Sequence, residues 1–269
     1  MGEKLFLLAC FMLLSCSSMG TIDLSQNEND SSYKSIFILA GQSNMAGRGY
    51  NSDNSTYPPE YFLSHPQILM LDANQTWKQA ADPGLHDGID KKFVGVGPGM
   101  PFANRILMKN PEFGTIGLVP CAHGQTSIMQ WMKGNENGLF AQLVNRAKVA
   151  LQGGGEIKAL LWYQGESDAL HYEDAVLYGS RLVKFLTDVR ADLGLPELPV
   201  LVVAMMTGDG EFKMMVREAQ MVIKLPHVVT VDAKGAGIKF NDKVHLNKAG
   251  SVEVGKRLAD AFLEINEEC

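Results

Sequence analysis

At 269 residues and 29.4 kDa, the chain is long enough for one α/β domain, which would bury roughly 70–75% of its unfolded surface without a disulfide or metal staple. Apolar residues make up 46% and charged residues 20%, a globular balance that excludes a disordered tail protein and a multi-spanning membrane protein. The 30 acidic and 24 basic side chains leave a net charge of −6 without a basic block, which argues against a nucleic-acid partner.

The first segment, residues 1–20, reads as a signal peptide. Residues 5–14 are an unbroken apolar run, followed by small residues. Ten apolar residues are too few to span a bilayer, which needs about 20, but they suit a signal-peptide core. A secreted protein without stable membrane insertion is therefore expected. An N-terminal core helix and a lipid anchor at Cys16, after Leu13-Leu14-Ser15, are the other readings of this run. Cys10 and Cys16 fall in the leader, leaving Cys121 and Cys269 as free thiols with no metal-ligand spacing. Sequons at Asn29, Asn54 and Asn74 exceed the roughly one expected by chance and favour a glycosylated chain.

After a polar segment, residues 21–34, the main domain runs over residues 35–266 as alternating strands and helices. Continuous apolar runs at 36–40, 115–121, 159–163, 200–206 and 228–231 predict parallel strands buried on both faces. Helical patterns lie between and after them at 101–109, 139–152, 174–193, 212–224 and 248–265. Five such units specify an α/β fold, a three-layer α/β/α sandwich with a five-stranded parallel sheet. Residues 49–98 interrupt the pattern and read as loops and short elements.

Ligands in such folds bind beyond the carboxyl ends of the strands, and these ends carry chemistry. Ala40-Gly41-Gln42-Ser43-Asn44-Met45 puts a serine on a glycine turn opening a helix. Taken alone, Ser43 is a helix N-cap; the segment is neither a GxSxG elbow nor a phosphate loop. Tyr163-Gln164-Gly165-Glu166 adds an amide and a carboxylate, and Cys121-Ala122-His123-Gly124-Gln125-Thr126 adds a glycine whose N–H can approach a ligand. Asp242-Lys243-Val244-His245 lies on a loop before the last helix. There a carboxylate can fix one imidazole tautomer and leave Nε2 as a base. At one rim these make a nucleophile, a base, its orienter and two oxyanion donors.

The blocks Gly41-Gln42-Ser43-Asn44-Met45-Ala46-Gly47, Trp162-Tyr163-Gln164-Gly165-Glu166-Ser167-Asp168 and Asp242-Lys243-Val244-His245 resemble those of the SGNH-type hydrolases. The nearest branch is the sialate O-acetylesterase-like domain, carbohydrate esterase family 6, and residues 95–103 resemble its plant members. The resemblance implies a flavodoxin-like sandwich that removes acetyl groups from carbohydrate esters with neither metal nor organic cofactor. It makes Ser43 the nucleophile, His245 the general base and acid, and Asp242 its orienter. The oxyanion hole would use the Ser43 and Gly124 N–H groups and the Gln164 amide, with Gln42, Asn44 and Glu166 supporting them. Gln125 departs from the Gly-Gly-Thr of the second block, and would strain that turn or narrow the acyl site. Trp131 is either a sugar-stacking face or core packing. A catalytically silent carbohydrate-binding protein is the alternative on the same fold. A dinucleotide-binding oxidoreductase fits poorly, since Gly95-Val96-Gly97-Pro98-Gly99 lies away from the first strand.

Overall fold

The computed structural model describes residues 33–49, 59–92 and 95–267. The expected leader, the sequons at Asn29 and Asn54, and Cys269 lie outside them. Asn74 is exposed, while Cys121 is a buried free thiol, its pKa pushed up by burial to about 11.

The chain runs β1 (Lys34–Gly41), α1 (Ser43–Ala46), β2 (Ile68–Leu71), β3 (Trp77–Gln79), α2 (Gly99–Lys109), β4 (Thr115–Pro120), α3 (Leu139–Gln152) and β5 (Glu156–Tyr163). It continues through α4 (Tyr172–Leu193), β6 (Val200–Ala204), α5 (Lys213–Met221), β7 (Val228–Asp232), β8 (Ile238–Lys239), β9 (Asp242–Leu246) and α6 (Lys248–Glu267). All five expected strands form, in the spatial order β4-β1-β5-β6-β7, the flavodoxin-like 2-1-3-4-5 arrangement. Among the described residues the sheet nevertheless has seven strands rather than five. The additional pair comes from the interrupting segment: β2 joins β4 in parallel, and β3 folds back antiparallel on β2 as the edge. β3 reads Trp77-Lys78-Gln79, short and mostly polar, as suits an edge that must not recruit another strand.

The central strands are apolar because both faces are covered. On one face Phe37 of β1 meets Phe102 of α2 and Phe262 of α6 edge-on, each pair 4.8 Å between ring centres. The other cluster joins Trp162 of β5 to Trp131 and to Phe185 of α4. Each such fully buried ring contributes roughly 1.5–3 kcal/mol relative to exposure. α2 packs on α6, and α4 packs on both α3 and α5, giving the two outer layers. Trp131 is fully buried, and its Nε1–H donates to Thr126 Oγ1 at 3.0 Å, so it is core and presents no face to a sugar.

Chain order reverses at β1, since β4 lies on one side of it and β5 on the other. The crevice beyond the carboxyl ends of β1 and β5 is the switch point where such folds bind ligands.

Candidate active site

β1 leaves the sheet through Gly41, whose φ of 129° brings it against β5. A Cβ there would lie 2.1 Å from the Tyr163 carbonyl oxygen, so no other residue fits. Gln42 N–H then donates to that carbonyl at 2.9 Å, and α1 begins at once with Ser43. The exit of the turn is clamped by a two-way backbone pairing between Gly49 and Val96, at 3.0 and 2.8 Å.

On the far side, β8 and β9 form a two-stranded hairpin, so Asp242 and His245 sit on a strand rather than the expected loop. Asn247 ends it by capping α6, its Oδ1 accepting the Gly250 N–H at 2.7 Å. Val244 N–H donates to Asp242 Oδ1 at 3.0 Å, and Asp242 Oδ2 meets His245 Nδ1 at 2.5 Å. His245 Nε2 lies 3.0 Å from Ser43 Oγ. Ser43, Asp242 and His245, separated by about 200 residues of sequence, thus form one hydrogen-bonded line. Burial works against the Asp242 carboxylate, but the His245 ring and the Val244 N–H outweigh it and hold its pKa below the ordinary carboxylate value.

Asn44 ties the two halves together. Its Nδ2 donates to Glu166 Oε1 at 2.5 Å and to the Val244 carbonyl at 3.0 Å, while its Oδ1 accepts the Leu246 N–H at 2.9 Å. Glu166 Oε1 also accepts the Thr207 hydroxyl at 2.7 Å. Burial raises the Glu166 pKa against these hydrogen bonds. Glu166 therefore anchors the strap that holds β9 beside the serine.

Gly124 lies against Ser43; a Cβ added to it would stand 3.5 Å from the serine Cβ. Its N–H donates to Asp90 Oδ1 at a long 3.2 Å, and Asp90 is in turn paired with the buried Arg48 guanidinium. Burial disfavours the Asp90 carboxylate, yet Arg48 and the Gly124 N–H hold its pKa below the ordinary value. This pair was not legible in the sequence, because Asp90 lies in the long stretch without periodicity.

Gln164 corrects the sequence reading. Its side chain is fully buried, and its Nε2 donates to Asp168 Oδ2 at 2.5 Å and to the Thr126 carbonyl at 2.8 Å. Gln42 Oε1 is a longer third contact at 3.2 Å. Two amide hydrogens cannot serve these acceptors and an oxyanion as well. Gln42 shows the reverse arrangement. Its Oε1 faces the Gln164 amide and the N–H groups of Gly165 and Ser167, and no acceptor meets its Nε2 among the described residues. Gln42, Ser43 and His245 line one pocket of about 250 Å³.

The family model described as carbohydrate esterase, sialic acid-specific acetylesterase matches residues 33–264. The chain belongs to this family. It is therefore a carbohydrate esterase, a carboxylic ester hydrolase. It is 45% identical over 239 residues to the probable carbohydrate esterase At4g34215 of Arabidopsis thaliana, covering 85% of this chain and 90% of the relative. The solved structure of that plant protein superimposes with a TM-score of 0.78 at 44% identity, over 86% of this chain and 98% of the other. NanS shares the fold with a TM-score of 0.71 at 17% identity, over 88% of this chain and 99% of its own. The family match begins at residue 33, where β1 is about to start, and ends inside α6.

Proposed function

We propose that this esterase removes O-acetyl groups from acetylated carbohydrates through an acetyl-enzyme on Ser43. The observation that carries the reading is the Ser43–His245–Asp242 line at the switch point of the sheet. His245 Nε2 takes the serine proton as Oγ attacks the acetyl carbonyl, forming the C–O bond of a tetrahedral oxyanion. The same nitrogen then gives that proton to the departing sugar oxygen as the ester bond breaks. Water repeats the two steps on the acetyl-enzyme and releases acetate. Asp242 stays ionised and orients the ring, favouring the imidazolium that forms in between.

The oxyanion needs donors aimed at it in a site that excludes water. The Ser43 N–H, at the start of α1, has no acceptor among the described residues, and neither does Gln42 Nε2. These two, with the Gly124 N–H shared from Asp90, are the donors we assign; Gln164 instead fixes Gln42. Changing Gln42 to Glu keeps the oxygen that meets Gln164, Gly165 and Ser167 but removes the donor. The expected result is a fall in kcat of about 10²–10³ with little change in KM. A Gln42→Glu enzyme within twofold of the parent would remove Gln42 from this role.

The test of the function itself is acetate release from a panel of acetylated mono- and polysaccharides, with 4-nitrophenyl acetate as a generic ester. Turnover of the acetylated sugars supports the reading. Sugar binding without turnover of any ester would replace it with a silent carbohydrate-binding protein.

A further inference from the structure

The donor assigned to Gln42 depends on which way two buried amides face, and an amide turned end for end keeps nearly the same shape. The backbone on both sides is fixed. The Gln164 carbonyl accepts the Tyr178 hydroxyl at 3.0 Å and Gln220 Nε2 at 2.7 Å, while the Gln42 carbonyl accepts the Met45 and Ala46 N–H groups, both at 3.0 Å. Only the side-chain amides are left to turn. Gln42 Oε1 is held inward by long contacts alone, 3.2 Å from Gln164 Nε2, 3.3 Å from the Gly165 nitrogen and 3.4 Å from the Ser167 nitrogen.

The Gln164 orientation is set by Asp168, which opens the short turn Asp168–Leu170 after β5 and is fully buried. Its carboxylate accepts Gln164 Nε2–H at 2.5 Å, and the Ile128 N–H meets its two oxygens at 3.1 and 3.0 Å. No ion pair among the described residues includes it; Arg181 of α4 is paired with Asp174 instead. Burial raises its pKa to about 7, so above neutrality it is an anion that can only accept. A buried carboxylate without a cation is costly to the fold, which marks it as a candidate for function.

A reversed Gln164 amide would set its oxygen against this carboxylate and against the Thr126 carbonyl, which lies 2.8 Å from Nε2. Two acceptors facing an oxygen exclude that state. In the orientation adopted, Gln164 Oε1 has no partner among the described residues, so the amide is held by its nitrogen alone. Once reversed, that oxygen would also face Gln42 and draw its amide nitrogen inward, away from Ser43.

We infer that Asp168 is a positioning residue for the esterase, acting through Gln164 to keep Gln42 Oε1 inward and leave Gln42 Nε2 free for the oxyanion. The inference rests on the esterase reading and on the donor role given there to Gln42.

The experiment is a double-mutant cycle on the full chain at about pH 8.5, where Asp168 is ionised, with kcat and KM read on 4-nitrophenyl acetate and an acetylated methyl glycoside. Asp168→Asn keeps the shape and one acceptor oxygen but allows its amide nitrogen to face a reversed Gln164. It should lower kcat about tenfold with KM within about twofold, in a protein that still unfolds cooperatively on heating. In the Gln42→Glu background no donor remains to be aimed, and the same change should alter kcat by less than about twofold. Should Asp168→Asn fail to fold, Asp168→Ser takes its place in the cycle; its hydroxyl can accept from Gln164 or donate to it, and the same pattern is expected. A loss equally large in the Gln42→Glu background would overturn the inference, because Asp168 would then support the fold alone. An Asp168→Asn enzyme with parental kcat would overturn it too, and either result would leave the esterase standing. A parent inert on every ester would instead bring down the esterase reading, and the role of Asp168 with it.

Discussion

Replacing Ser43 with Ala is expected to lower acetyl-ester turnover by about 10⁴-fold or more, equivalent to about 5.5 kcal/mol of transition-state stabilisation. The size follows from the way the line of groups acts. Without the Oγ there is nothing for His245 to deprotonate and no acetyl-enzyme to form, so intact Asp242 and His245 retain little of the effect. The fold should survive, because among the described residues the hydroxyl is bonded only to His245 Nε2 and its loss leaves no acceptor stranded in the core. A serine-directed organophosphorus reagent should add one group to the parent, located by peptide mapping at Ser43, and none to the variant. Labelling at another serine, or a Ser43→Ala protein with parental rates, would sink the assignment of the nucleophile.

The strands that carry this site were legible because they are buried on both faces. Residues 36–40, 159–163 and 200–206 are runs in which every position must be apolar, a signal no alternating surface strand gives. Where the run was short or polar the signal failed. Ile68–Leu71 is only four residues long and Trp77–Gln79 carries two polar side chains, so the sequence shows no more there than loops and short elements, without a β2–β3 pair. Ser43 and His245 could be found because each sits at a junction, one on a glycine turn after a strand and one just ahead of the Asn247 cap. The direction of a side chain is a different matter. Gln164 occupies a position suited to an oxyanion donor, but Asp168 and the Thr126 carbonyl, reached only through tertiary packing, take its amide hydrogens. Burial meanwhile pushes the Asp168 pKa up to about 7, against the hydrogen bonds from Gln164 and the Ile128 N–H. Trp131 failed as a sugar platform for a related reason. Thr126 satisfies its one donor inside the core, which frees the whole ring to pack against Trp162.

Replacing Asp242 with Asn is expected to cost up to about 10⁴ in kcat while leaving the backbone in place. The amide oxygen can still accept the Val244 N–H, but the amide nitrogen would now face His245 Nδ1. A donor there forces the ring proton onto Nε2, the nitrogen that must accept from Ser43. The sign of the pH dependence follows from the same pair. Because the Asp242 pKa lies below the ordinary carboxylate value, its orienting charge is present across the working range and is lost only in acid, where the parent rate should fall. In Asp242→Asn that contribution is absent at every pH. His227 makes a useful control: it precedes β7 at the opposite end of the strands and pairs with Glu197, so His227→Gln should retain parental rates. A near-parental Asp242→Asn enzyme would mean that another group holds the base. Glu166, joined to the strand of His245 through Asn44, would then be the residue to change, and a profile that moved with Glu166→Gln instead would transfer the orienting role to it.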